Sequence, residues 1–187
     1  IGQGIAEVLK KSEEFENIHL VSRHSFDNRS NTNGSILHHY TCDNEKESIR
    51  EVLEEVFNRG SDITKIFICN GILHSDEVFP ERRLEHISAD SMERIFRINS
   101  IVPMLWLAEL INFLSKDSPS VVAVLNARVG SIDDNKLGGW YSYRASKTAL
   151  NMLLKTTSIE YARRNRMAKL ISFHPGTVDT KLSKPFQ

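Results

Sequence analysis

Tyr143 and Lys147 stand four residues apart in Tyr141-Ser-Tyr-Arg-Ala-Ser-Lys147, which runs into an apolar-periodic segment, Thr148–Tyr161. At that spacing on a helix two side chains lie one above the other on the same face. A free phenol has a pKa of about 10 and is a poor acid or base at neutral pH. An ammonium beside it favours the phenolate and lowers that pKa, so the pair can exchange a proton with a substrate oxygen. Tyr141 has Ala145 four residues on and gains no such partner. An isolated Tyr-x-x-x-Lys is more often a surface pair, and the rest of the chain must decide.

The elements that would position this pair alternate between strand and helix. Gly2–Ser12 reads as a helix with Ile5, Val8 and Leu9 on one face, and Ile18–Ser22 as a short strand. The polar stretch 27–34 reads as a loop, and Ile36–Thr41 as the next strand. Asp43 or Asn44 can cap a helix over Glu45–Arg59, whose Ile49, Val52, Leu53 and Val56 repeat at helical spacing. Lys65–Cys69 is a buried strand, and Ser88 or Asp90 can cap a long helix through Phe113. Ser120–Leu125 is a strand, Tyr143–Asn165 a helix and Lys169–Phe173 a last strand. Strands separated by helices of this length imply right-handed crossovers and a parallel sheet with helices on both faces.

Composition excludes several functions. The 187 residues carry 24 Lys plus Arg against 24 Asp plus Glu, so no net charge draws the chain to nucleic acid or an anionic membrane. No apolar run reaches the roughly 18 residues that span a bilayer. Cys42 and Cys69 make no disulfide framework, and a reduced, cytoplasmic setting is the expectation. The seven histidines show no metal-ligand spacing, so no metal is expected.

Four pieces in order complete the pattern. They are Ile1-Gly2-Gln3, Arg97-Ile-Asn99-Ser100, Arg128-Val-Gly-Ser131 leading to Tyr143 and Lys147, and His174-Pro-Gly-Thr177. With them the chain resembles the short-chain dehydrogenase/reductase family, most closely its C-factor-like branch. The resemblance covers essentially all 187 residues and implies one NAD(P)-binding Rossmann-type domain, a three-layer α/β fold with a doubly wound parallel sheet. In that frame the chain opens where a first, central strand and a glycine-rich turn should precede it, and stops where a substrate loop should follow. Truncation at both ends is therefore expected.

The resemblance also implies roles. Tyr143 would transfer the proton, Lys147 would hold the nicotinamide ribose and acidify Tyr143, and Asn99 would link Lys147 to solvent through a water. Gly2 would let helix-start amides approach the cofactor pyrophosphate. At the end of the second strand of such a fold an acidic residue selects NAD, whereas an arginine can pair with a 2′-phosphate. Here Ser22 takes the acidic position and Arg23 follows, which favours NADP(H) over NAD(H). Asp43 would meet the adenine, or serve only as a helix cap. Gly71 would pack against the cofactor, and Pro175, Gly176, Thr177 and Thr180 would line the nicotinamide and phosphates. The family serine falls at Ala127, so carbonyl polarisation passes to Asn126 or Ser131. The implied reaction is reversible hydride transfer between NADP(H) and a small carbonyl or alcohol; the alternative is a nucleotide-binding regulatory protein with vestigial catalysis. Helices Ser88–Phe113 and Tyr143–Tyr161 resemble a subunit-packing pair. With Met104, Trp106, Leu107, Leu110, Met152 and Leu153 as surplus apolar surface, they predict a homodimer or homotetramer.

Overall fold

The computed structural model describes residues 1–12, 14–24, 35–60, 62–176, 178–180 and 183–186. The loop expected over 27–34 lies outside the described residues, as does Thr177. Among the described residues five strands and five α-helices follow in the order α1 (Gly2–Ser12), β1 (Asn17–Ser22), β2 (Ile36–Thr41), α2 (Lys46–Phe57), β3 (Lys65–Ile68), α3 (Ala89–Phe96), α4 (Val102–Leu110), β4 (Ser120–Leu125), α5 (Tyr141–Arg164) and β5 (Ala168–Phe173).

All pairs among the described strands are parallel. β1 pairs with β2 from Asn17↔Ile36 to Ser22↔Thr41, and β4 lies between β3 and β5. Two ladders result, β1-β2 and β3-β4-β5. No described strand joins them. Between the β1 and β3 edges lies a cleft of about 600 Å³ lined by Ile18, Leu20, Ile66, Ile68 and α1.

Helical periodicity decides which faces are buried. Ile49, Val52, Leu53 and Val56 of α2 meet Leu107 and Leu110 of α4 and Leu150 and Leu154 of α5 in one core around Val122 and Val124. Burying a side chain of this size contributes about 1.5–3 kcal/mol. α5 is buried along a single stripe whose chemistry changes with position. Tyr143, Ser146 and Lys147 lie in its first two turns, and Leu150, Leu154 and Tyr161 follow them. One end of the helix faces the site and the other anchors it in the core.

The expected long helix from Ser88 to Phe113 is interrupted. Ser88 does cap it, accepting from Ser91 N at 3.5 Å, but Arg97–Ile101 winds as a π turn between α3 and α4. Single π turns arise where tertiary bonds outweigh the regular ladder. Leu107 and Leu110, read as partner-facing, are fully enclosed in the core, and Trp106 donates from Nε1 to Asn44 Oδ1 at 2.9 Å. Among the residues named for a subunit face, Met152 is the one that stands well exposed, at 67%.

Candidate active site

The carboxyl ends of parallel strands are where such a fold exposes backbone and loops, and the chemistry-bearing residues collect there. β1 ends at Ser22 and Arg23, β2 leads into Asp43 and Asn44, and β3 into Cys69, Asn70 and Gly71. Arg23, Asp43, Asn44 and Gly71 line a cavity of about 410 Å³ together with Arg94 and Arg97 of the α3 segment. Three residues singled out from separate parts of the sequence thus share one wall. Asp43 is not the helix cap expected for it: the N-cap of α2 is Glu45, with no side-chain capping bond, and Asp43 Oδ1 accepts from Glu45 N at 2.8 Å, closing the turn before the helix. Gly2 lies apart, beside Cys69 in the larger cleft. Pro175, Gly176 and Thr180 do not line the smaller cavity. Gly176 adopts φ 77°, and Thr180 N donates to Ser183 Oγ at 3.1 Å.

Tyr143 and Lys147 are both buried on α5. The Lys147 ammonium donates to Leu125 O at 3.3 Å. A methyl group placed on Gly71 would stand 3.7 Å from both Lys147 Nζ and Asn99 Oδ1, so the two side chains converge on this glycine. Asn99 is clamped to the loop after β3. Its Oδ1 accepts from Ile72 N at 2.7 Å, and its Nδ2 donates to Ile72 O at 2.9 Å and to Ser146 Oγ at 3.0 Å. The side chain is therefore committed to protein partners. Its main chain differs: Pro103, four residues on, has no N–H, so the Asn99 carbonyl lacks its α-helical donor. That proline is the sequence signal for the interrupted helix.

Electrostatics here departs from the sequence expectation. Burial pushes the Tyr143 phenol up from its usual value rather than down. Burial also lowers Lys147 to about 8. Both shifts have the same origin, since a low-dielectric setting disfavours phenolate and ammonium alike. In this arrangement desolvation outweighs the pull of the lysine on the tyrosine.

The loop after β4 corrects a second expectation. Asn126 was a candidate to donate to a substrate carbonyl, but its Nδ2 donates to Asn151 Oδ1 at 2.6 Å and Ser172 Oγ at 3.2 Å. Its Oδ1 accepts from Ala127 N at 2.9 Å. Both amide hydrogens are spent on α5 and β5. Asn151, one turn beyond Lys147 on the same face, was not singled out from sequence, although its spacing of four from Lys147 could have found it. Ser131 is exposed and accepts from Asp134 N at 3.3 Å; its own proton goes to no acceptor among the described residues. Gly130 explains why this loop sits so close to α5. A Cβ there would lie 2.8 Å from the carbonyl carbon of Lys147 and 2.9 Å from its oxygen, closer than carbon atoms approach. Only glycine lets the loop pack against the lysine's own backbone.

Among the described residues no cluster of histidine, cysteine or carboxylate could hold a metal, and no helix is long and apolar enough to cross a membrane. Parallel ladders in this order, with polar residues gathered at the strand ends, define an α/β NAD(P)-binding fold of the Rossmann type. The family profile described as short chain dehydrogenase matches residues 1–187, and the chain belongs to that family. It is 28% identical over 141 residues to 1-hydroxy-2-glutathionyl-2-methyl-3-butene dehydrogenase of Rhodococcus sp. (strain AD45), covering 75% of this chain and 58% of that protein. It is 34% identical over 94 residues to C-signal of Myxococcus xanthus, covering 50% and 55% respectively, in keeping with the C-factor-like branch. The chain thus spans little more than half the length of these two curated relatives. Among solved structures, a short-chain dehydrogenase/reductase from Burkholderia multivorans with bound NADP matches 80% of this chain and 62% of its own, at 25% identity and TM-score 0.68. An alcohol dehydrogenase from Thermococcus sibiricus complexed with 5-hydroxy-NADP covers 95% of this chain and 72% of its own, at 19% identity and TM-score 0.73, and supports the fold alone.

Proposed function

We propose that the protein catalyses NADP(H)-dependent interconversion of a small carbonyl compound and its alcohol. The observation that carries this is the convergence of Lys147 and Asn99 on Gly71, one helical turn from the buried Tyr143 and next to the arginine-lined cavity. The donor set fits an anionic dinucleotide. Arg23 at the end of β1 would pair with a 2′-phosphate, Asp43 with the adenine, and Gly71 would admit the nicotinamide ribose close to Lys147. A bound nicotinamide supplies or accepts the hydride.

The chain's own residues handle the proton. Tyr143 gives its phenolic proton to the substrate oxygen in the reductive direction. Lys147, titrating near neutrality, supports the phenolate left behind. The Asn99 carbonyl, deprived of its helical donor by Pro103, would hold a water that carries the proton between Lys147 and solvent. For polarising the carbonyl, the spent amide of Asn126 favours Ser131 as the donor. Met152, exposed on α5, is in keeping with a closed homo-oligomer.

One observation favours a second reading, a nucleotide-binding regulator with weak catalysis. The family serine position is Ala127, and Asn126 is engaged elsewhere. Incubation with NADPH and a panel of aldehydes, ketones and quinones separates the two. Turnover abolished in Tyr143→Phe supports the enzyme, whereas tight NADPH binding with no turnover supports the regulator.

A further inference from the structure

Helix α5 begins without a cap of its own. Trp140, at the N-cap position, has φ 53° and ψ 43°, makes no capping bond through its side chain, and is followed by no acidic residue in the first turn. The first amides of a helix have no intrahelical acceptor and need one from elsewhere. Here it comes from 61 residues upstream. Glu81, in the segment between β3 and α3, accepts from Ser142 N through Oε2 at 3.2 Å and from the Ser142 hydroxyl through Oε1. Ser142 N is the amide that an N-cap side chain would ordinarily satisfy. Glu81 is 2% exposed and Ser142 fully buried. A buried carboxylate is tolerated only where donors and a favourable field compensate for lost water. The serine hydroxyl, the amide and the positive end of a 24-residue helix provide both.

The same residue grips the chain a second time. The Glu81 carbonyl accepts from Trp140 N at 2.5 Å. Gly138, Gly139 and Trp140 are three successive residues in the left-handed region, at φ 66°, 64° and 53°. Glycine adopts that conformation freely, but a tryptophan is strained there and stays only if its surroundings hold it. Besides Glu81, Arg144 holds the turn, with Nε on Gly139 O at 3.1 Å and its amide on Trp140 O at 2.8 Å. The constrained indole then meets the Tyr143 ring edge-on, with centroids 6.2 Å apart and planes at 75°.

We infer that Glu81 is a positioning residue for Tyr143, fixing the first turn of α5 through its carboxylate and the indole against the phenol through its carbonyl. The inference rests on the reading of Tyr143 as the proton-transferring group. Glu81 touches no reacting atom in this arrangement, because both carboxylate oxygens are committed to Ser142. Its effect reaches the chemistry through geometry, and misplacement of a reacting group by about 1 Å can lower a rate by about 10²-fold.

The test compares wild type, Glu81→Gln, Glu81→Ala and Tyr143→Phe in turnover of a carbonyl the wild type reduces. Each is also examined in a Trp106→Phe background, where Trp140 is the one remaining tryptophan of two. For Glu81→Gln the expected result is a kcat lower by about tenfold or more. KM and the NADPH dissociation constant should stay within about twofold, Trp140 emission should shift to the red, and amide exchange should accelerate at 140–143. A variant that melts earlier but keeps wild-type kcat and Trp140 emission would assign Glu81 a purely structural role and overturn the inference. Glu81→Ala should exceed Gln in every effect; if it fails to fold, the Gln variant and the emission of Trp140 still decide. The underlying reading fails differently. Full activity in Tyr143→Phe, or no wild-type turnover at all, removes the role of the phenol and this inference with it. An inactive Tyr143→Phe beside an unaffected Glu81→Gln refutes this inference alone.

Discussion

Replacing Lys147 by methionine should stabilise the protein while abolishing turnover. The side chain is 3% exposed, and burial lowers its pKa from 10.5 to about 8. That displacement corresponds to roughly 3 kcal/mol of penalty for the charged form, at about 1.4 kcal/mol per pH unit. At pH 7 the lysine is protonated folded and unfolded, so the whole penalty acts against the fold. Between about pH 8 and 10.5 the folded lysine loses its proton while the unfolded chain keeps it, so wild-type stability rises with pH across that window. Methionine has similar length and carries no charge. Against the gain stands the lost bond to Leu125 O, about 1 kcal/mol. The balance is about 2 kcal/mol, or roughly 4–8 °C in melting temperature for a chain of this size. Denaturant unfolding without cofactor at pH 7 and pH 10 measures it. The tyrosines titrate in both proteins and cancel in the difference. A Lys147→Met protein no more stable than wild type at pH 7, or a difference that stays constant to pH 10, would refute the argument.

Other outcomes follow from single contacts. Gly130→Ala should destabilise by about 1–3 kcal/mol, the range for forced overpacking, and should depress turnover, because the new methyl collides with the Lys147 backbone; unfolding and rate measurements on one preparation check both. Arg23→Ala should weaken NADPH binding by about 1.5–3 kcal/mol and leave NADH nearly unchanged in titration calorimetry; equal losses would make Arg23 an ordinary surface residue. Ser131→Ala should lower kcat by up to about 10²-fold if its hydroxyl polarises the carbonyl. Asn126→Ala should instead act on stability through its bonds to Asn151 and Ser172, and the reverse pattern in steady-state kinetics would return the role to Asn126. Met152→Glu should shift sedimentation toward the monomer if α5 forms a subunit contact, and no shift removes that helix from the interface.

Most of the fold was legible because burial follows periodicity. The strands were placed to within about a residue, and α2 followed its apolar stripe. The misplacements have one character. α5 starts at Tyr141 rather than Tyr143 because its cap is Glu81, far away in sequence, and no local residue announces it. The π turn at Arg97–Ile101 depends on bonds from Asn99 to Ile72 and Ser146, which no spacing rule reveals. Leu107 and Leu110, counted as surplus apolar surface for a partner, are instead enclosed in the core with residues of α2 and α5. At the site, residue types and order named Tyr143, Lys147, Asn99, Arg23, Asp43 and Gly71 as candidates, of which Arg23, Asp43 and Gly71 line one cavity and Lys147 and Asn99 converge on Gly71. They could not show that the amide of Asn126 was already taken, nor that burial would set the Tyr143 and Lys147 pKa values.

The clamp between Asn99 and Ile72 has a chemical consequence of its own. By offering one oxygen and one NH₂ to the N–H and C=O of a single residue, the side chain imitates a neighbouring peptide group, as though a one-residue strand had been laid beside the loop. Only asparagine and glutamine carry that pair of functions, and glutamine's extra methylene would push Ile72 away. Aspartate is isosteric but presents acceptors on both sides. It would face the Ile72 carbonyl oxygen to oxygen and set a fixed anion near Lys147. Losing that NH₂ at position 99 would therefore loosen the loop that carries Gly71.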